Sequence, residues 1–348
     1  METMMRAAVW HGEPELKVQA WKKPEIQPDQ VLVRVAYAGI CASDVHILNN
    51  GLPREAVKPP RVIGHECAGV VEAVGGRVRS VKAGDHVTGN PVGSCGACYY
   101  CRNQMEHFCE RPFSIIRGPG EGTYAEYIVF QEKQIYKLPE SIPLKHGALT
   151  EPLSVAVHAV EQAGIALGST CVIIGAGVIG LMIAAIARKR GCARIIMSDP
   201  NELRRRQALE LGADCAVDPA REDLRARVLE WTEGRGADVC IEAVGSPRLI
   251  EQCPALVRCG GTVLLVGWPP REASVSINPF LIYRYEVQIK GSQLSPYCFG
   301  KAAALLDQVG IERFISHVYP LERINEAFEM QRSGKGLRIL IEIAGEQP

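Results

Sequence analysis

The stretch TCVIIGAGVIGLMIAAIARKRG, residues 170–191, decides the fold. TCVIIGAG reads as a buried strand running into a glycine turn, and GLMIAAIARKRG reads as the helix that follows. Between them Gly175, Gly177 and Gly180 stand in G-x-G-x-x-G spacing. A glycine triplet alone is weak evidence, but between a strand and a helix it has a physical reading. Gly175 permits a tight turn, Gly177 lets the backbone approach a pyrophosphate, and Gly180 packs helix against strand. Val178 and Ile179 complete the same turn, whose amides and helix dipole favour a phosphate. An acidic residue is then expected about 20 residues on, to bond the ribose hydroxyls of a dinucleotide. Asp199, in IIMSDP, meets that expectation. Its carboxylate repels a 2′-phosphate, which favours NAD over NADP. Arg204, first of a basic run through Arg206, pulls the other way, although such a run also serves as a solvated helix face.

Outward from this motif the chain keeps one rhythm. ARIIMSDP, ADVCIEAVG and GTVLLVGW are apolar runs separated by helical patterns such as ELRRRQALELG. Strands alternating with crossover helices predict a doubly wound parallel sheet of the α/β class, covered on both faces. The texture upstream of Pro152 differs. VLVRVAYAGI and CAGVVEAVG are β-branched runs, VKAGDHVTG turns at Gly84 and Asp85, and TYAEYIVFQEKQIYKLPE supplies two further short strands. The last sixty or so residues carry two amphipathic helical patterns and a terminal strand, GLRILIEIAG.

A second motif lies within residues 89–112. Cys95, Cys98, Cys101 and Cys109 form a C-x2-C-x2-C-x7-C array in a Gly- and Pro-rich run. Thirteen cysteines, mostly isolated in apolar context, suit a reducing and hence cytoplasmic setting, which argues against disulfides. A ferredoxin-type iron–sulfur motif closes with x3-C-P, whereas here the gap is seven and Glu110 follows. Four thiolates on tetrahedral zinc fit best, as a staple for a loop without its own core. Within that loop His107 is expected to be exposed, and His158, in SVAVHAV, to be a packed helix residue.

Composition narrows the partners. The 348 residues are 47% hydrophobic and 22% charged, with Lys plus Arg and Asp plus Glu both at 39. No net basic field exists to attract nucleic acid, and no apolar run reaches the ~18–20 residues of a membrane span. The N-terminus METMMRAAVW lacks the apolar core of a secretion signal. A small-molecule partner is expected. Two rivals are a non-catalytic zinc- and NAD-binding regulatory protein and a nucleic-acid-binding zinc ribbon.

Two further stretches, GICASDVH and VIGHECAGVVEAVGGRV, carry a resemblance. Gly64-His65-Glu66, then Gly69, Gly75 and Val78, resemble the signature of the zinc-containing alcohol dehydrogenases, in the medium-chain dehydrogenase/reductase superfamily. The cysteine array resembles the structural zinc lobe of that family, and TEPLSVAVHA and CASDVH are similar to its sorbitol, butanediol and threonine dehydrogenase branch. The resemblance implies a GroES-like irregular β-barrel catalytic domain, residues 1–152 and 288–348, around a Rossmann NAD-binding domain, residues 153–287. It also implies two zinc ions, one structural and one catalytic. Cys41, His65 and Glu66 would bind the catalytic ion, with Glu151 as a further acidic residue, direct ligand or otherwise. Adjacent residues of a strand face opposite sides, so His65 and Glu66 can share a metal only where the chain turns. By the same resemblance Asp44 orients His65, and a proton leaves through Ser43, the cofactor ribose and His46. The implied reaction is oxidation of a secondary alcohol (a polyol, vicinal diol or amino alcohol) to a ketone, with hydride passed to NAD. A homotetramer or dimer is implied, with SVSINPFLIYRY near a subunit contact. Sorbitol dehydrogenases carry an Arg-Tyr pair after the IKG strand; here SQLSPY stands there without arginine, and Ile47 replaces an aromatic residue.

Overall fold

The computed structural model describes residues 3–50, 58–115 and 121–345, which form two compact units. Residues 1–154 and 299–348 make the first, residues 155–298 the second. The division falls inside helix Thr150–Ala163.

The first unit is built around strand Gln30–Gly39, whose near-continuous apolar run is buried on both faces. It pairs antiparallel with Glu66–Val74 on one side and Arg338–Glu342 on the other, and also with Tyr127–Gln131. The register sets Gly39 opposite both Glu66 and Leu340, so the beginnings of two flanking strands converge at one end of the central one. His86–Gly89, Ile135–Lys137 and Ile315–Pro320 complete a seven-stranded sheet. A separate hairpin, Met4–Trp10 with Leu16–Lys22, is extended by Arg61–Val62. Val33, Val35, Tyr124, Ile128, Phe130, Phe328 and Ile339 are among the side chains of the core these elements share.

The VKAGDHVTG turn lies where expected, and Asp85 ties it to the neighbouring strand. The buried Asp85 carboxylate accepts from Lys82 N (3.0 Å) and pairs with Lys137 Nζ at 2.6 Å. The Lys137 hydrogen bond holds its carboxyl below the ordinary aspartate value, against the opposing effect of burial.

The second unit is one six-stranded parallel sheet. Its spatial order is Cys215–Val217, Arg194–Ser198, Thr170–Ile174, Ala237–Glu242, Val257–Leu265, Gln288–Gly291. That is the doubly wound order, with its reversal beside Thr170–Ile174. Helices Val178–Lys189, Glu202–Glu210 and Leu224–Trp231 serve as crossovers. Asn201 and Asp223 cap the latter two by accepting first-turn amides, as short polar N-caps do. One boundary shifts from the expectation at 288. Gln288–Gly291 pairs in parallel with Val257–Leu265, so its hydrogen-bonding edge belongs to this sheet, and the return begins at Phe299.

Asp85→Asn is expected to lower the thermal midpoint by about 2–4 °C near neutral pH, the size of one charged hydrogen bond. A carboxyl depressed on folding stabilises above its unfolded pKa of about 3.9 and loses that contribution as pH falls through the folded value. The gap between variant and parent therefore closes in acid, which paired melts from neutral to acidic pH would read.

Candidate active site

Cys41 follows the central strand and immediately precedes helix Ala42–Asn50. The helix turns Asp44, Ile47 and Leu48 inward and leaves Ser43 half-buried and His46 exposed. Ser43 and His46 are three apart and so share one helix face. Gly64 has φ +95°, a turn that L side chains resist, and the following strand begins only at Glu66. The chain thus turns at Gly64 and His65 lies outside the strand, which removes the objection that two neighbours on a strand face apart. One ligating atom each of Cys41, His65 and Glu66 lies within 4.8 Å of the others.

This donor set fits zinc. A thiol, an imidazole and a carboxylate are its ordinary protein ligands, and Glu66 Oε2 is buried with no hydrogen-bond partner. The other oxygen is engaged: Arg338 Nη1 sits 2.9 Å from Glu66 Oε1 and 2.6 Å from the Ile40 carbonyl, with both side chains buried. Burial raises Glu66 to about 7 despite the guanidinium. Burial alone would lower His65, yet the Asp44 carboxylate and Cys41 hold it well above the usual imidazole value. Asp44 Oδ1 and His65 Nδ1 face each other at an ion-pair separation of 3.3 Å, with no hydrogen-bond geometry between them. Glu151, in the first turn of helix Thr150–Ala163, lies outside the three-residue cluster. Its carboxyl is raised by burial and feels the charges of His65, Arg338 and Asp44.

The four-cysteine loop is a second closed cluster, with all its thiols free of disulfides. Sulfur separations are 3.4 Å for Cys98–Cys101, 3.9 Å for Cys95–Cys101 and 4.0 Å for Cys98–Cys109. A tetrahedron with bonds of about 2.3 Å has edges of about 3.8 Å, so the loop suits one zinc and is too tight for a cube of irons. Backbone amides point at the sulfurs, Cys95 N to Cys109 Sγ at 3.2 Å and Arg111 N to Cys109 Sγ at 3.4 Å. Amides of Ala97 and Cys98 pull the Cys95 thiol down to about 6, toward the ligating thiolate. His107 is half-buried against Phe108, ring centroids 4.0 Å apart, a correction to its expected exposure; His158 is buried as expected.

In the second unit the glycine turn has the geometry its spacing implies. Gly175 has φ +103°, and a Cβ on Gly180 would meet the Gly175 carbonyl oxygen at 2.0 Å. A Cβ on Gly177, the N-cap of helix Val178–Lys189, would meet nothing within 4 Å. That open backbone at a helix N-terminus, with Val178 and Ile179 as its first residues, fits a pyrophosphate. Asp199 is buried at the end of strand Arg194–Ser198, accepting from Ala176 N (2.9 Å) and Asn201 N (2.8 Å). Arg204 Nη1 stands 3.9 Å from its Oδ2.

The comparisons agree with both units. Residues 27–140 match the alcohol dehydrogenase GroES-like domain and residues 178–308 the zinc-binding dehydrogenase domain. The chain is 32% identical to sorbitol dehydrogenase of Bacillus subtilis over 97% of both chains. It is 35% identical to L-threonine 3-dehydrogenase of Pyrococcus abyssi over 96% of both. This protein belongs to the zinc-containing alcohol dehydrogenase family. Among solved structures it is similar to a chain of Sinorhizobium meliloti 1021 assigned as a zinc-binding dehydrogenase and bound to NADP. There the TM-score is 0.93 at 33% identity, covering 98% of this chain and 100% of that one. This family member is an oxidoreductase of the alcohol dehydrogenase type, dependent on zinc and a nicotinamide cofactor.

Two residues around the cluster escape sequence reading. Arg338 has a signal, a lone cation in the apolar run LRILIEI, whereas Tyr124 looks like any core aromatic. Arg338→Met would strand a buried carboxylate and is expected to cost about 3–5 kcal/mol in denaturant unfolding, with Glu66→Gln in the same chain recovering much of it.

Proposed function

We propose that this enzyme oxidises a secondary alcohol bearing further polar groups, a polyol, vicinal diol or amino alcohol, to the ketone, with NAD as hydride acceptor. The observation that carries the reading is the Cys41–His65–Glu66 cluster, with His65 and Glu66 buried, Cys41 half-buried and one Glu66 oxygen unpartnered. Two similar proteins whose names specify a polyol and an amino alcohol support the substrate class. Two zinc ions per chain are proposed, one at that cluster and one in the cysteine loop.

Cys41, His65 and Glu66 would hold the catalytic ion, with Glu151 close enough in charge to share or replace the carboxylate role. When bound, zinc supplies Lewis acidity toward an alcohol oxygen, and the nicotinamide ring supplies the hydride acceptor. Ser43 would accept the alcohol proton, and His46, on the same helix face and exposed, would pass it outward. Asp44 keeps His65 in one tautomer. Gly175, Gly177, Val178, Ile179 and Gly180 cradle the pyrophosphate, and Asp199 accepts from the adenosine ribose hydroxyls. Arg204, already near Asp199, moderates the preference for NAD without reversing it.

A homo-oligomer, dimer or tetramer, is supported by apolar surface on residues 268–285. Helix Pro279–Tyr285 buries none of its side chains, and Phe280, Ile282, Tyr283 and Trp268 are exposed. Patches of this kind mark association surfaces. A cytoplasmic setting is supported by thirteen cysteines without a disulfide.

Cys41→Ser is expected to abolish turnover on every alcohol tested and to lower zinc from two ions per chain to one, while NADH fluorescence titration stays near the parent. Full activity in that variant would refute the zinc assignment. Asp199→Ala is expected to raise the NADP-to-NAD ratio of kcat/KM by roughly ten-fold, since the group repelling a 2′-phosphate is gone.

A further inference from the structure

Asp44 stands at a junction. Its side chain is fully buried, and its two oxygens face different elements. Oδ2 accepts from the backbone N–H of Cys41 at 3.0 Å and from the Tyr124 hydroxyl at 2.7 Å, while Oδ1 faces His65 Nδ1 at 3.3 Å. One carboxylate therefore touches two of the three cluster residues, accepting from the Cys41 amide and standing at ion-pair distance from the His65 ring. A carboxylate on an sp³–sp² bond is a soft rotor with no deep staggered well. Something must stop its rotation if both contacts are to keep their geometry.

Tyr124 is built to do so. Its ring is fully buried and packs edge-to-face on Phe328, centroids 5.9 Å apart. A Cβ on Gly64 would lie 2.9 Å from Tyr124 Cζ, so the bare backbone before His65 admits the ring. The hydroxyl also lies 3.1 Å from the Gly39 carbonyl, but its single proton goes to the shorter, charged acceptor.

We propose that the Tyr124 hydroxyl is a positioning group for the catalytic metal site, pinning the Asp44 carboxylate so that Cys41 and His65 stay at ligating separation. The proposal rests on the zinc reading of Cys41 and His65. It concerns only the phenolic oxygen, since a phenylalanine would keep the packing against Phe328 and Gly64.

The test uses holoenzyme and a chromogenic chelator, with cobalt substitution as a second readout. Tyr124→Phe is expected to release the catalytic zinc about ten-fold faster, the lower end of effects seen when a ligand's hydrogen-bond partner is removed. Zinc in the cysteine loop should leave at the parental rate, and the visible band of the cobalt form should shift. In an Asp44→Asn background the added effect of Tyr124→Phe should vanish, because both changes act through one carboxylate. Release within two-fold of the parent overturns the proposal, as does an undiminished effect in the Asp44→Asn background, which would mark plain packing. A parent that holds zinc only in the cysteine loop fails the zinc reading itself, and this proposal falls with it.

Discussion

A buried carboxylate must find a cation, and in the first unit that requirement organises the site. Glu66 and Arg338 are fully or nearly fully buried and 2.9 Å apart, though 272 positions separate them in the chain. The central strand Gln30–Gly39 brings them together, because the strands they open flank it and register at Gly39. Taking either charge out of water alone costs several kcal/mol, so each needs the other. Arg338 uses one Glu66 oxygen and leaves the second buried without a hydrogen-bond partner. The ion pair thus fixes the Glu66 carboxylate as well as satisfying its charge.

Around that pair the polar groups form a graded shell. Glu66, His65 and Cys41 face one point, Asp44 joins two of them from behind, and Tyr124 and Arg338 brace the carboxylates. Ser43 and His46 lie on the more exposed face of the same short helix that buries Asp44. One short helix therefore carries both the buried Asp44 and the more accessible Ser43 and His46. The cysteine loop works differently. Its four sulfurs come from fifteen consecutive residues, 95–109, and amides of the same loop point at them. Such a cluster leaves no open position and stabilises without reacting.

The legibility of these features tracks how local they are. The glycine turn was readable because three glycines, a strand and a helix are contiguous; Gly175 has a positive φ, Gly177 opens on empty space, and a Cβ on Gly180 would strike the Gly175 carbonyl. The N-terminal hairpin Met4–Trp10 with Leu16–Lys22 carried no comparable signal, since MMRAAVW alternates poorly and HGEPE is no tight-turn sequence to pair it with LKVQAWK. Likewise helix Ala42–Asn50 is short and polar, and CASDVH gave no periodicity by which to place it. The edge strand Gln288–Gly291 was read into the wrong unit because four residues of pattern do not say which sheet offers a free edge.

Sequence alone determined the class of sheet in the second unit, the zinc-type cysteine loop, the dinucleotide turn and the family, because each depends on residues close together or on a contiguous motif. Tertiary structure decided which oxygen of Glu66 is free, that Arg338 holds the other, that the chain turns at Gly64 before His65, and that Tyr124 reaches Asp44. The physical reason is strand register: contacts between residues 39, 66, 124 and 338 exist only once the sheet has set their strands and loops side by side.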